Sequence, residues 1–189
     1  GDAESLDAIF EHYRPRLRRM VDLHLDRRLE RQVQVADVME EARQDMKQRI
    51  GELDAESGLP CFIWVRSIVA DRLATIHGQL PDRPNAGEVS LRRGRMPQAS
   101  SLALASKLIG KMTEEQSEAI RAERQVKLQA VINSLDPDDR EILTMRHFEQ
   151  LNSAETAIIL EVSEAVAGMQ FLKALRRLKH ELAQIPDMA

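Results

Sequence analysis

Residues 136–179 read DPDDREILTMRHFEQLNSAETAIILEVSEAVAGMQFLKALRRLK, and this stretch decides the fold. Asp136 stands where a helix N-cap belongs. Pro137 takes the first helical position, where its missing N–H costs nothing, and Asp138 and Asp139 put negative charge in the first turn. That helix is predicted to reach His147 or Phe148. Asn152-Ser-Ala-Glu155 repeats the signal as cap plus box, and Ser163 caps a last helix running to about Gln184. Two helices only about three residues apart have the spacing of a helix-turn-helix. Ala157 is small enough for two helices to cross closely, and Ile158, Leu160 and Val162 are expected to form a small core around the turn. Phe171, Leu175 and Leu178 mark the inner face of the second helix; Glu164, Ala165, Gly168, Gln170 and Lys173 mark its outer one. The same pattern fits an ordinary helical hairpin with serine caps, so by itself it leaves DNA binding open.

Upstream of this stretch, Thr113-Glu-Glu-Gln116 is a capping box that opens a helix towards Leu135. Gly78, Pro81, Pro84, Gly87, Gly94 and Pro97 punctuate the preceding stretch, which reads as a linker able to form a short helix at Ser101–Ile109. As a tether of roughly 30 residues it would span about 30 Å. Further upstream, Leu6, Ile9, Phe10, Tyr13 and Leu17 recur at helical spacing, continued by Met20 and Val21. Pro15 predicts a kink or a new helix start. A second periodic segment runs from Val35 to Ile50 and is stopped by Gly51. After a loop from Glu52 to Pro60, a third runs from Cys61 to His77, with Phe62, Val65, Ile68, Val69 and Leu73 on one face. The expected fold is all-α: two small helical domains, residues 1–78 and 113–189, joined by a linker, 79–112.

Composition agrees with that class and narrows the functions. Charged residues make up 31% of the chain and aromatics only 3%, a helix-like balance. No apolar run is long enough for a membrane span and no signal segment opens the chain, so a cytoplasmic protein without membrane contact is expected. Cys61 has no internal partner and sits in an apolar stretch, as a buried thiol does. The five histidines are scattered without metal-ligand spacing, and there is neither a phosphate-binding GxxxxGK[ST] loop nor a Cys/His pair. No enzyme, no cofactor and no metal site are expected. The net charge of −4 is unevenly placed. Seven arginines face three acids between Arg14 and Arg31, seven acids face three bases between Asp37 and Glu56, and four bases stand without an acid between Lys173 and Lys179. Such a chain can meet DNA at one place and a protein at another, although solvated helix faces would account for any single run.

The C-terminal stretch resembles the second conserved domain of bacterial extracytoplasmic-function (ECF) sigma factors. YRPRLRRMV, VADVMEEA and FIWVRSIVADRL, in that order, resemble the first domain. The likeness is nearest to the group found in planctomycete bacteria, whose linkers carry a stretch similar to EVSLRRG. The resemblance implies core RNA polymerase and promoter DNA as partners, and allows an anti-sigma factor. It implies that the helix holding Asp37, Val38, Glu40 and Glu41 docks on basic polymerase helices, although Asp37 and Glu40 would also complement a helix dipole. It implies that the loop Leu53–Pro60 and the helix after it, with Phe62, Trp64, Arg66 and Arg72, open and hold the −10 element. Unpaired bases need stacking partners and phosphates need cations, yet a lone Trp at helical spacing is more often core. The last helix would read the −35 element through Ser163, Glu164, Gly168 and Gln170, with Lys173, Arg176 and Arg177 on phosphates.

Several positions depart from the family. Glu161 takes a turn position usually held by Gly, at a cost of roughly 1 kcal/mol if the backbone stays left-handed there. Gly168 and Gln170 replace a common Lys and Arg around Met169, and Glu40 replaces a common Gln. The fold should survive these changes while reading of DNA weakens or shifts; Gln170 can still pair with adenine. A promoter-specificity factor is therefore the leading expectation. The alternative is a sigma-like interaction module that keeps polymerase or partner binding with weakened promoter reading.

Overall fold

In the computed structural model, Leu6, Phe10, Leu17, Met20 and Val21 form the buried stripe of a continuous helix, α1 (Ala3–His24). The structure describes residues 3–26, 28–29, 31–52, 59–78, 96–112 and 118–185, and every regular element among them is helical. Pro15 lies inside α1 on its exposed side, so no new helix starts there. A proline in a helix interior costs roughly 3 kcal/mol through its missing N–H and ring clash. The stripe on both sides of it offsets that cost, since each fully buried Leu or Met side chain stabilises by about 1.5–3 kcal/mol.

Helix α2 (Val35–Gln48) opens with the Gln34 N–H donating to the Asp37 carboxylate at 3.4 Å, and buries Val38, Met39, Ala42 and Met46. A short tight turn, Ile50–Glu52, follows it. Helix α3 (Cys61–His77) has the bounds that the sequence predicts, but not the single apolar face. Ile63, Trp64, Arg66, Ala70 and Ile76 are buried along with the expected stripe. The reason is layering: α3 packs on both α1 and α2, so both of its sides need apolar cover. Ion pairs stitch the three helices together. Asp7 of α1 meets Arg43 and Lys47 of α2, at 3.2 and 2.8 Å; Arg49 meets Asp71 of α3 at 2.8 Å. These pairs are partly exposed and worth about 0–1 kcal/mol each. Two buried histidines are spent on structure. His24 Nδ1 donates to the Pro97 carbonyl at 2.6 Å, and His77 Nε2 accepts the Asp26 N–H at 3.2 Å.

The chain divides into two compact units, Gly1–Pro97 with Ile158–Glu161, and Gln98–Ala157 with Val162–Ala189. In the second, the short helix foreseen within the linker is present as α4 (Ser101–Met112) and packs on α5 (Glu118–Ser134). The predicted box Thr113–Gln116, residues 79–95 of the linker and most of the loop before Cys61 lie outside the described residues. Helix α6 (Pro137–Leu143) starts with Pro137 in its first turn and passes into a wider turn, Thr144–Phe148, so the helical course reaches Phe148 as expected. Asp136 occupies the cap position without capping through its side chain; the carboxylate is turned to Arg177 instead. The Arg140 guanidinium donates to the Asn133 and Leu135 carbonyls at the end of α5, and burial pushes its pKa down. Leu104, Leu108, Ile132, Leu143 and Leu175 help to line an apolar cavity of about 120 Å³ between these helices. No helix among the described residues is long and apolar enough to cross a membrane.

Urea unfolding should show Pro15→Ala more stable than the parent by about 1–3 kcal/mol. Leu73→Ala, which empties a fully buried site in α3, should lose roughly 2–5 kcal/mol. A destabilised Pro15→Ala would mean that α1 depends on a bend at Pro15.

Candidate nucleic-acid interface

Asn152 and Glu155 start α7 (Ser153–Leu160) by a reciprocal exchange: the Glu155 N–H donates to Asn152 Oδ1 and the Asn152 N–H to Glu155 Oε2, both at 2.8 Å. This satisfies two amides that a helix start leaves orphaned. The Thr156 hydroxyl, fully buried, donates to the Asn152 carbonyl at 2.8 Å. The helix ends abruptly. Glu161 has φ +57°, in the left-handed region, and the Val162 N–H reaches back to the Ala157 carbonyl at 3.1 Å. Ser163 then takes extended backbone, and its hydroxyl accepts the Val166 N–H at 3.3 Å to open α8 (Glu164–Ala183). Two helices separated by Glu161, Val162 and Ser163 are a helix-turn-helix in backbone geometry as well as in pattern. The expected core of the turn needs correction: Ala157 and Ile159 are buried, whereas Ile158, Leu160 and Val162 are only partly so.

Ala167 and Ala174 face fully inward on α8, with Phe171, Leu175 and Leu178 half-buried beside them. The Arg146 guanidinium lies 5.2 Å from the Phe171 ring centroid and donates to the Leu151 carbonyl at 2.6 Å. On the outer side, Glu164, Ala165, Gln170 and Lys173 are exposed, as the sequence predicts, Ser163 and Arg176 are exposed as well, and Gly168, expected outside, is half-buried. A Cβ added at Gly168 would meet nothing within 4 Å. Two outer residues were not among the predicted ones: Met169, 64% exposed, and Leu172, 53% exposed. Their spacing from Ala165 was the available signal. Arg177 differs from its two basic neighbours, because it pairs with both Asp136 and Asp139, which hold its guanidinium pKa above the ordinary value. Lys173, Arg176 and Lys179 make no ion pair among the described residues and are the unpaired cations that α8 presents.

The other predicted residues fall on α2 and α3. Asp37, Glu40 and Glu41 form an exposed acidic face on α2. The Arg43 guanidinium donates to both Glu40 oxygens, at 2.8 and 3.0 Å, which holds the Glu40 carboxyl below its ordinary range. Val38 departs from the expected surface, being fully buried on the opposite side of the helix. Phe62, Trp64 and Arg66 are all buried in α3, so in this arrangement none offers itself to a base or phosphate. Phe62 lies under the Arg16 guanidinium, 3.6 Å from its ring centroid, and 5.1 Å from the Tyr13 ring. The Trp64 indole N–H is buried without an acceptor among the described residues. Arg72 is engaged by Asp45, with Nε to Oδ2 at 2.9 Å, and by Glu41 at 3.4 Å. Exposed acids thus stand together on α2, and exposed bases on α8.

Residues 125–178 match the family model of sigma-70 region 4. The matched segment runs from within α5 through the turn and most of α8. That family is one of DNA-binding regulatory domains rather than catalytic ones, and the match implies interaction with RNA polymerase and promoter DNA. No curated protein matches the chain.

Two single changes test the local geometry. Glu161→Gly should raise stability by about 1 kcal/mol, because glycine adopts the left-handed backbone without strain. Gly168→Ala should add about 0.5–1 kcal/mol, since helix propensity improves and the space is open. Both are read in urea unfolding; a destabilised Glu161→Gly would show that the carboxylate does more at the turn than its strain costs.

Proposed function

We propose that the chain is a sigma factor of the extracytoplasmic-function type, which binds core RNA polymerase and directs it to a promoter. The observation that carries this reading is the region 4 match laid over a helix-turn-helix with its outer face exposed. In this reading the chain supplies no chemistry of its own: the polymerase catalyses, and the factor places it. Asp37, Glu40 and Glu41 provide an acidic surface for a basic polymerase element, which speeds encounter and sets register. Lys173 and Arg176 meet DNA phosphates beside the groove that α8 enters, with Ser163, Glu164, Gly168 and Gln170 at its leading end. Arg177 supports α6 through its two aspartates rather than standing free for a phosphate. Val38 supports the acidic face from within. Phe62, Trp64, Arg66 and Arg72 hold α3 in place, and direct contact with the −10 element requires them to leave their present partners when polymerase is bound. A planctomycete-like grouping, a cytoplasmic location and an anti-sigma partner belong to the same proposal.

The missing charges around Gly168, Met169 and Gln170 on the outer face of α8 support a second reading, in which the chain binds polymerase or another protein but reads promoters weakly. The two separate in binding experiments with purified components. The chain should co-elute with bacterial core polymerase, and Glu40→Lys with Glu41→Lys should weaken that binding by at least about tenfold through like-charge repulsion. Lys173→Ala should weaken binding of the polymerase complex to DNA equally across sequences and lower the salt slope by about one. Core binding without DNA selection supports the second reading; no core binding contradicts both.

A further inference from the structure

The outward centre of α8 is not where its charges are. Ala167 and Ala174, with Phe171 and Leu178 half-buried beside them, define the inner side. At 3.6 residues per turn the opposite side carries Ala165, Met169, Leu172 and Arg176, at spacings of four, three and four. Ala165 is exposed, and so are Met169 and Leu172 over more than half of their surfaces. Gly168, beside this stripe, leaves open space. For two turns the outermost surface is apolar. After that it becomes cationic, with Lys173, Arg176 and Lys179 all exposed.

Single exposed apolar residues are ordinary; three in register on the face of a helix-turn-helix that should enter a groove are a recognition surface. Resting on the promoter-reading function above, we propose that Ala165, Met169 and Leu172 are specificity residues that select thymine by packing against its 5-methyl group. That methyl is the apolar feature of the major-groove edge, whereas guanine offers two acceptors there. Both base pairs present two acceptors and one donor on that edge, so the methyl group is the feature by which an apolar stripe can tell A·T from G·C. Its neighbours fit the same site. Gln170 can bond adenine, the partner base of thymine, and the Glu164 carboxylate can only accept, as from the amino group of adenine or cytosine. The cations that follow the stripe complement a phosphate backbone, which favours duplex DNA over an apolar protein surface as its occupant.

The test uses the full chain bound to core polymerase and a randomised duplex library, followed by replacement of thymine with uracil in the selected upstream element. Uracil lacks only the methyl group. The selected element should be rich in A·T pairs, and each contacted thymine replaced should weaken binding about fourfold, the value of one buried methyl-sized group. Met169→Ala with Leu172→Ala should remove most of that difference, and both sites are exposed, so the fold should be kept. Lys173→Ala should lower affinity for both duplexes and leave their ratio unchanged. Equal binding of thymine and uracil duplexes, or selection of a G·C-rich element, overturns the inference while promoter reading stands. Selection of no duplex by a complex that does form removes promoter reading and this inference together. Self-association abolished by Met169→Lys would then give the stripe to a second copy.

Discussion

The chain reverses between Leu160 and Ser163 through one left-handed residue, Glu161, and the direction of α8 follows from that reversal. A non-glycine residue in this region costs about 1 kcal/mol. It is held there because the groups on either side have nowhere better to go: the Val162 N–H closes on the Ala157 carbonyl, and Ser163 caps the next helix at once. With only three residues between the helices, α8 has little freedom in how it leaves α7. Ala167 and Ala174 turn inward, where their small side chains allow close packing, and Ala165, Met169, Leu172, Lys173 and Arg176 are left outward. The candidate interface is thus a consequence of a turn rather than of the outward residues themselves.

The first three helices solve a different problem. α3 is covered on two sides, so the tryptophan and an arginine that could have served at a surface are taken into its packing. Two of its other charges are met from the α2 side, Arg72 by Asp45 and Asp71 by Arg49, the residue just past the end of α2. The acidic side of α2 stays exposed, and what stays exposed on α8 is basic beyond the apolar stripe. A chain of net charge −4 can address a basic protein and an acidic polymer because the two signs lie on different helices.

Much of this was legible in the sequence where the controlling chemistry is local. The Asn152–Glu155 box, the Ser163 cap, Pro137 in the first turn of α6 and the bounds of α3 all rest on residues within a few positions of each other. The left-handed residue was not legible from spacing; the resemblance pointed to it, because Glu161 takes a turn position usually held by Gly. What could not be read depends on partners far along the chain. Arg177 meets acids 38 and 41 residues away, so its ion pairs were invisible to spacing. The resemblance implies −10 contacts for Trp64 and Arg66, although a lone Trp at helical spacing is more often core; both are found inside, and periodicity cannot tell one covering layer from two. Local propensity predicts a kink or a new helix start at Pro15, and only the buried stripe on both sides of it shows why α1 runs on without a new start. On α8 the family comparison drew attention to the missing charges at Gly168 and Gln170, and away from Met169 and Leu172.

Transcription with core polymerase on a library of genomic fragments, with and without the chain, and with the 5′ ends of the products mapped, tests the account most directly. It predicts transcripts that appear only with the chain and that share an upstream element at a fixed distance from their starts. Transcripts indifferent to the chain, or chain-dependent starts without a shared upstream element, would contradict it.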